Sequence, residues 1–132
     1  MRSNTTSLLA VTAVLELAAG IGLLLAPSLS AELLLGTGLG SPESLLVGKI
    51  AGAAVLSISL ICWLCRNQDR DGQAIGVVAG LLVYNAVVAL LLLYAGTVGT
   101  MRGIGIWPAI GLHSALSIWC GARLRPGPSH QG

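Results

Sequence analysis

Charge is scarce in this chain: seven of its 132 residues are Lys or Arg and five are Asp or Glu, 9% in all. An ordinary globular domain carries about 25% charged residues, so the polar surface that a water-facing fold of this size requires is missing. The same scarcity excludes intrinsic disorder, because disordered chains are rich in charge and poor in apolar residues, whereas 55% of this chain is hydrophobic. Short chemical motifs are missing too. There is no P-loop, no G-x-G-x-x-G after a strand, no H-E-x-x-H and no serine elbow. The Gly36-Thr37-Gly38-Leu39-Gly40 stretch opens no phosphate-binding strand-turn-helix unit. The net charge of +2 comes from arginines at segment ends and makes no case for nucleic-acid binding. A single histidine among the apolar segments excludes paired haem ligation within one chain.

What is present is apolar sequence in long runs. A membrane crossing needs about 20 mostly apolar residues, and four runs qualify: Leu8 to Ala26, Leu45 to Cys65, Ala74 to Ala95 and Ile104 to Ala122. Backbone groups cannot go unpaired in lipid, so the runs read as helices. The expected fold class is all-α, an integral membrane four-helix bundle with short loops. It forms one domain over 1–125, with helices at about 7–26, 44–65, 73–95 and 104–123 and a disordered tail at 126–132. Pro27-Ser28 closes the first helix. Ser41-Pro42-Glu43 reads as N-cap, proline at N1 and an acid in the first turn of the second. Asp71-Gly72 precedes the third. The fourth begins around Trp107-Pro108, with an irregular first turn or a start at Pro108 itself. The loop from Ser28 to Gly40 is expected to hold a short helix lying at the outer membrane surface.

The first run is about twice as long as a signal-peptide core and contains Glu16, which favours a retained helix over a cleaved leader. Basic residues set orientation. With both termini inside, Arg2, Arg66, Arg70, Arg123 and Arg125 lie in the cytoplasm, against Arg102 and Lys49 toward the other side. The expected location is therefore a bacterial inner membrane, multi-pass, N-in and C-in. Trp63 and Trp119 then fall near the inner interface and Trp107 near the outer one.

Helices in lipid approach closely through small residues. Gly72, Gly76 and Gly80 recur at four-residue spacing in the third segment, and Gly48 and Gly52 in the second. Packing within one bundle is one reading of the third stripe, and a homodimer seam through it is the other.

Counted at about 1.5 Å per residue from the cytoplasmic ends, Glu16, Ser57, Asn85 and His113 each lie roughly 12–17 Å deep. Tyr84 is adjacent in depth and points about 100° away from Asn85. Ionisable groups at such depth are costly and mark a functional site by default. A carboxyl and an imidazole brought together there can share a proton. Glu16, Ser57, Tyr84, Asn85 and His113 are thus the candidate ligand-binding or proton-handling residues. The alternative is that hydrogen bonds among Glu16, Asn85 and His113 simply pin the bundle. Lys49 lies about 6 Å from the outer interface and either snorkels to the headgroups or reaches down toward Glu16. Cys62-Trp63-Leu64-Cys65 is a C-x-x-C with Cys120 at similar depth. These thiols read as buried small hydrophobes, since disulfides do not persist on the cytoplasmic side and a zinc site lacks a fourth ligand. No catalytic or metal-ligating residue is assigned, and the residues name no cofactor.

The Glu16-Leu17-Ala18-Ala19-Gly20 segment leading to Leu25-Ala26-Pro27, together with the glycine-containing second helix and the overall size, resembles small four-helix bacterial membrane proteins of the DoxX-like kind. The resemblance implies a membrane bundle, and a link to quinone-coupled sulfur oxidation or thiol redox chemistry in some members; it carries over no site residue. Two functions follow as expectations. One is a non-enzymatic accessory or assembly subunit packed into a membrane complex, with the lipid bilayer, complex subunits or further copies of the chain as partners. The other is a small carrier or redox-linked protein that binds a lipophilic ligand such as a quinone, or relays protons.

Overall fold

A computed structural model describes residues 2–67 and 73–125; the expectations placed on Arg70, Asp71, Gly72 and the tail 126–132 lie outside them. The described residues form five helices: α1 (Arg2–Leu25), α2 (Pro27–Leu35), α3 (Pro42–Cys65), α4 (Gln73–Thr97) and α5 (Ile106–Leu124). Three of them are long and apolar enough to cross a membrane, over Asn4–Leu25, Pro42–Cys65 and Ala74–Thr97. The fourth long helix, α5, has 19 residues and is diluted by Pro108, His113 and Arg123.

Local chemistry sets the boundaries. Pro27 cannot continue α1 and instead occupies the first turn of α2, where its missing N–H costs nothing. Gly36 ends α2 in the left-handed region at φ +82° and donates its N–H to the Glu32 carbonyl. A Cβ there would also stand 2.8 Å from the Gly103 backbone, so only glycine fits. Ser41 caps α3 as its sequence suggests. Its hydroxyl accepts from the Ser44 N–H at 3.2 Å, and the Ser44 hydroxyl accepts in return from the Ser41 N–H at 3.1 Å, a capping box with serine in the usual glutamate position. The start of α5 lies at Ile106, ahead of Pro108. Proline is accommodated there because the first N–H groups of a helix have no intrahelical acceptor.

The long helices pair as antiparallel neighbours, α1 with α3 and α4 with α5, each packed along its length, while contacts between the two pairs are sparser. Gly52 faces α1 so closely that a Cβ would lie 2.7 Å from the Leu24 backbone nitrogen, and a Cβ on Gly20 would lie 2.7 Å from the Leu56 side chain. Gly48 abuts Pro27. Gly76 and Gly80, in contrast, face away from the other described residues, with nothing within 4 Å of a Cβ at either. Packing within the bundle therefore does not account for these two members of the α4 stripe. Four-residue spacing identifies a face with room for a neighbour, without saying which helix supplies one.

The apolar core draws on all four long helices at the end where the chain begins: Leu8, Leu9, Ala13, Cys62, Val78, Leu81, Leu116 and Cys120. At the same end Thr6 donates to the Arg66 carbonyl at 2.9 Å, and the Arg66 guanidinium stacks on the Trp63 ring. The opposite end is closed by α2 and the segment after α4. Arg102 and Gly105 donate backbone N–H groups to the Leu35 and Leu33 carbonyls at 3.2 and 2.9 Å, and the Arg102 guanidinium caps α4 through the Gly96 carbonyl at 2.6 Å. The short helix expected between Ser28 and Gly40 thus exists as α2, and it is tied to the bundle through buried Pro27 and Ala31. Elsewhere the helices turn apolar side chains outward, among them Ile50, Leu90 and Ile118 at 60%, 66% and 74% exposure. Faces of this kind suit a hydrocarbon solvent.

A polar seam between two helix pairs

Helix geometry brings four of the five candidate residues to the seam between the α1–α3 and α4–α5 pairs. Asn85 lies at the middle of α4 and is fully buried. Its Nδ2 donates to the Leu81 carbonyl at 2.8 Å, one turn back on the same helix. That bond fixes the amide orientation, since a carbonyl only accepts, and so turns Oδ1 toward α5. There it meets His113 Nδ1 at 2.7 Å. An amide oxygen accepts only, so Nδ1 carries the hydrogen and Nε2 is left with the lone pair. The chain from Leu81 through Asn85 thereby presets which imidazole nitrogen is the base.

On the other side, Glu16 of α1 is 4% exposed, and the Tyr84 hydroxyl donates to its Oε2 at 3.4 Å. The Tyr84 and His113 rings meet edge to face with centroids 5.9 Å apart. Tyr84 and Asn85 point in different directions, as their spacing requires, yet both serve the seam. The Tyr84 side chain reaches Glu16 of α1, and the Asn85 side chain reaches His113 of α5. A carboxyl group and an imidazole lone pair thus occupy one layer, linked through a tyrosine that touches both.

Ser57 does not join this layer. It is exposed and donates to the Ala53 carbonyl of its own helix at 3.0 Å. The hydroxyl that α3 sends inward belongs to Ser59, 6% exposed, which donates to the Ala13 carbonyl of α1 at 2.7 Å. Depth alone does not separate the two serines, but azimuth does. Ser57 lies about 140° around the helix from Gly52, and Ser59 returns to within about 20° of it. Lys49 stands exposed on α3, and Glu16 takes Tyr84 as its partner. Cys62 and Cys120 are buried in the apolar core and Cys65 is half-buried; all three are free thiols. Thr12 on α1, outside the five candidates, is buried and shares a helix face with Glu16.

A separate groove of about 320 Å³ runs between α1 and α3, lined by Val14, Leu17, Leu56 and Leu60 among others. Apart from Ser59 and Trp63 its walls are aliphatic, and they include no titratable side chain, so the chemistry belongs to the seam. Comparison with protein-family models, with curated proteins and with solved structures finds no match to this chain, and the seam is read from its own residues.

Proposed function

We propose that α1, α3, α4 and α5 all cross a bacterial inner membrane with both termini in the cytoplasm. In this reading the seam is a proton-handling or lipophilic-ligand site served by Glu16, Tyr84, Asn85 and His113. The fourth crossing is supported by α5 running back along α4, from Ile106 beside Gly96 through His113 beside Asn85 to Cys120, which joins Val78 in the apolar core. The arginines at the chain-start end and the outward apolar faces point the same way.

The observation that carries the site is the Leu81–Asn85–His113 relay, which leaves the lone pair of a half-buried imidazole in the same layer as a buried carboxyl group. Glu16 supplies the acid and His113 Nε2 the base, while Tyr84 orients the carboxyl. A bound molecule would accept a hydrogen bond from the first and donate one to the second. The test is native purification with mass spectrometry of everything bound, compared with Glu16→Gln and His113→Ala. The expected result is that both substitutions lose the co-purifying small molecule or slow proton uptake. Unchanged ligand retention and proton uptake in both would overturn the reading.

A second reading, an accessory or assembly subunit of a membrane complex or a homo-oligomer, is favoured by the open Gly76–Gly80 face of α4. Co-purification of a stable larger assembly in the same experiment supports it. The likeness to DoxX-like proteins fits either reading and assigns no residue.

A further inference from the structure

Helix-borne hydroxyls of this bundle find carbonyl acceptors, either on a neighbouring segment, as Thr6 and Ser59 do, or one turn back on their own helix. Ser57, Thr97 and Ser117 each donate to the carbonyl one turn back, those of Ala53, Leu93 and His113, as hydroxyls in apolar helices commonly do. Thr12 has the Leu8 carbonyl in the equivalent position and does not use it. The residue is 1% exposed, and its buried Oγ1 has no hydrogen-bond partner. In a membrane no bulk water stands in for the missing bond, so a buried hydroxyl of this kind requires a reason.

Its position supplies one. Thr12 precedes Glu16 by four residues, which puts both on one face of α1 with Cβ atoms about 5–6 Å apart. Two ordinary hydrogen bonds of about 2.8 Å each span that interval through a single intervening atom. Beyond Thr12, toward the chain-start end, Leu8, Leu9, Cys62 and Cys120 are fully buried and close the seam.

We propose that Thr12 is a further binding residue of the seam, and that its hydroxyl and the Glu16 carboxyl together hold one water molecule. The inference rests on the reading of Glu16 as a proton-handling group. Tyr84 donates to Glu16 and so offers it no place to send a proton. Water accepts as well as donates. The water accepts from the Glu16 carboxyl O–H and donates to Thr12 Oγ1, and through it the carboxyl exchanges its hydrogen. Thr12 offers one donor and two lone pairs, which with the carboxyl meets the two to four polar partners that a buried water needs.

Infrared spectroscopy in lipid nanodiscs tests this, with the Glu16 carboxyl band assigned by its disappearance in Glu16→Gln. Thr12→Val keeps the side-chain shape and removes the hydroxyl, with Cys62, Tyr84 and His113 unaltered around the carboxyl. The expected result is hydrogen–deuterium exchange of the Glu16 carboxyl slowed about tenfold, the factor that loss of one ordinary hydrogen bond produces. The carbonyl stretch moves with it to that of a less hydrogen-bonded acid. Thr12→Ser restores both. A Glu16 band that is present but unchanged in Thr12→Val overturns the inference while leaving the proton-handling reading intact. Absence of any band sensitive to Glu16→Gln overturns both.

Discussion

The hydrogen bond between Asn85 and His113 joins α4 to α5 at 2.7 Å, and Asn85 has no exposed surface. Asn85→Leu removes the acceptor at nearly constant volume, so the cavity contribution is small. What remains is an imidazole N–H facing hydrocarbon with nothing to receive it. The cost of stranding one buried group is about 1–3 kcal/mol. His113→Leu strands the Asn85 carbonyl oxygen in the same way. The double variant strands neither, because both partners become apolar, and its stability returns close to that of the starting protein. The cycle thus predicts non-additivity. Each single change is destabilising, the pair together is not, and the coupling energy equals the sum of the two single costs, about 2–6 kcal/mol. Reversible unfolding in mixed lipid–detergent micelles, followed by helicity, measures all four corners. A coupling no larger than the ~0.3–0.5 kcal/mol of unconnected sites would refute both the pairing and the tautomer deduced from it.

Two further outcomes test the packing and the topology. Gly52→Ala drives a methyl group against the backbone of α1, which cannot rotate away, and is expected to destabilise by about 1–3 kcal/mol. Gly80→Ala meets nothing within 4 Å and should stabilise by up to ~1 kcal/mol through helix propensity; equal effects in micelle unfolding would contradict the α1–α3 seam. Impermeant maleimide applied to oriented vesicles should modify half-buried Cys65 from the cytoplasmic side only. Buried Cys62 and Cys120 should stay unmodified until the protein is denatured, and modification of Cys65 from the opposite side would reverse the proposed orientation.

Much of the fold was legible because its determinants are local. The length of each apolar run, the Ser41-Pro42-Glu43 cap and the Pro27 break depend on neighbours within one helical turn, and each helix formed where such signals stood. The ends moved where the signal was weak. α1 begins at Arg2 instead of near residue 7, since polar Ser and Thr residues ahead of Leu8 do not stop a helix already under way. α5 starts at Ile106 because proline is tolerated inside a first turn. Among the site residues, depth was legible for Glu16, Asn85 and His113, as rise per residue is constant along a helix. Which side of a helix faces which neighbour was not. That gap is why Ser57 stood in for Ser59, why Tyr84 and Asn85 could both serve the seam, and why Thr12, beside Glu16, lay outside the candidates.

By itself, the sequence determined the apolar character of this protein's surface and the number and approximate span of its long helices. Scarce charge and long apolar runs permit few other outcomes when every backbone group must be paired. Only the tertiary structure decided the pairing of α1 with α3 and of α4 with α5. That pairing turned Gly52 inward and left Gly80 outward, although both sit in similar glycine spacings. It also set Glu16 against Tyr84 and Asn85 against His113. Helix azimuths are chosen by all neighbours at once, through close packing of backbones and the satisfaction of buried polar groups. Such a choice is a property of the bundle and is not written in any single segment.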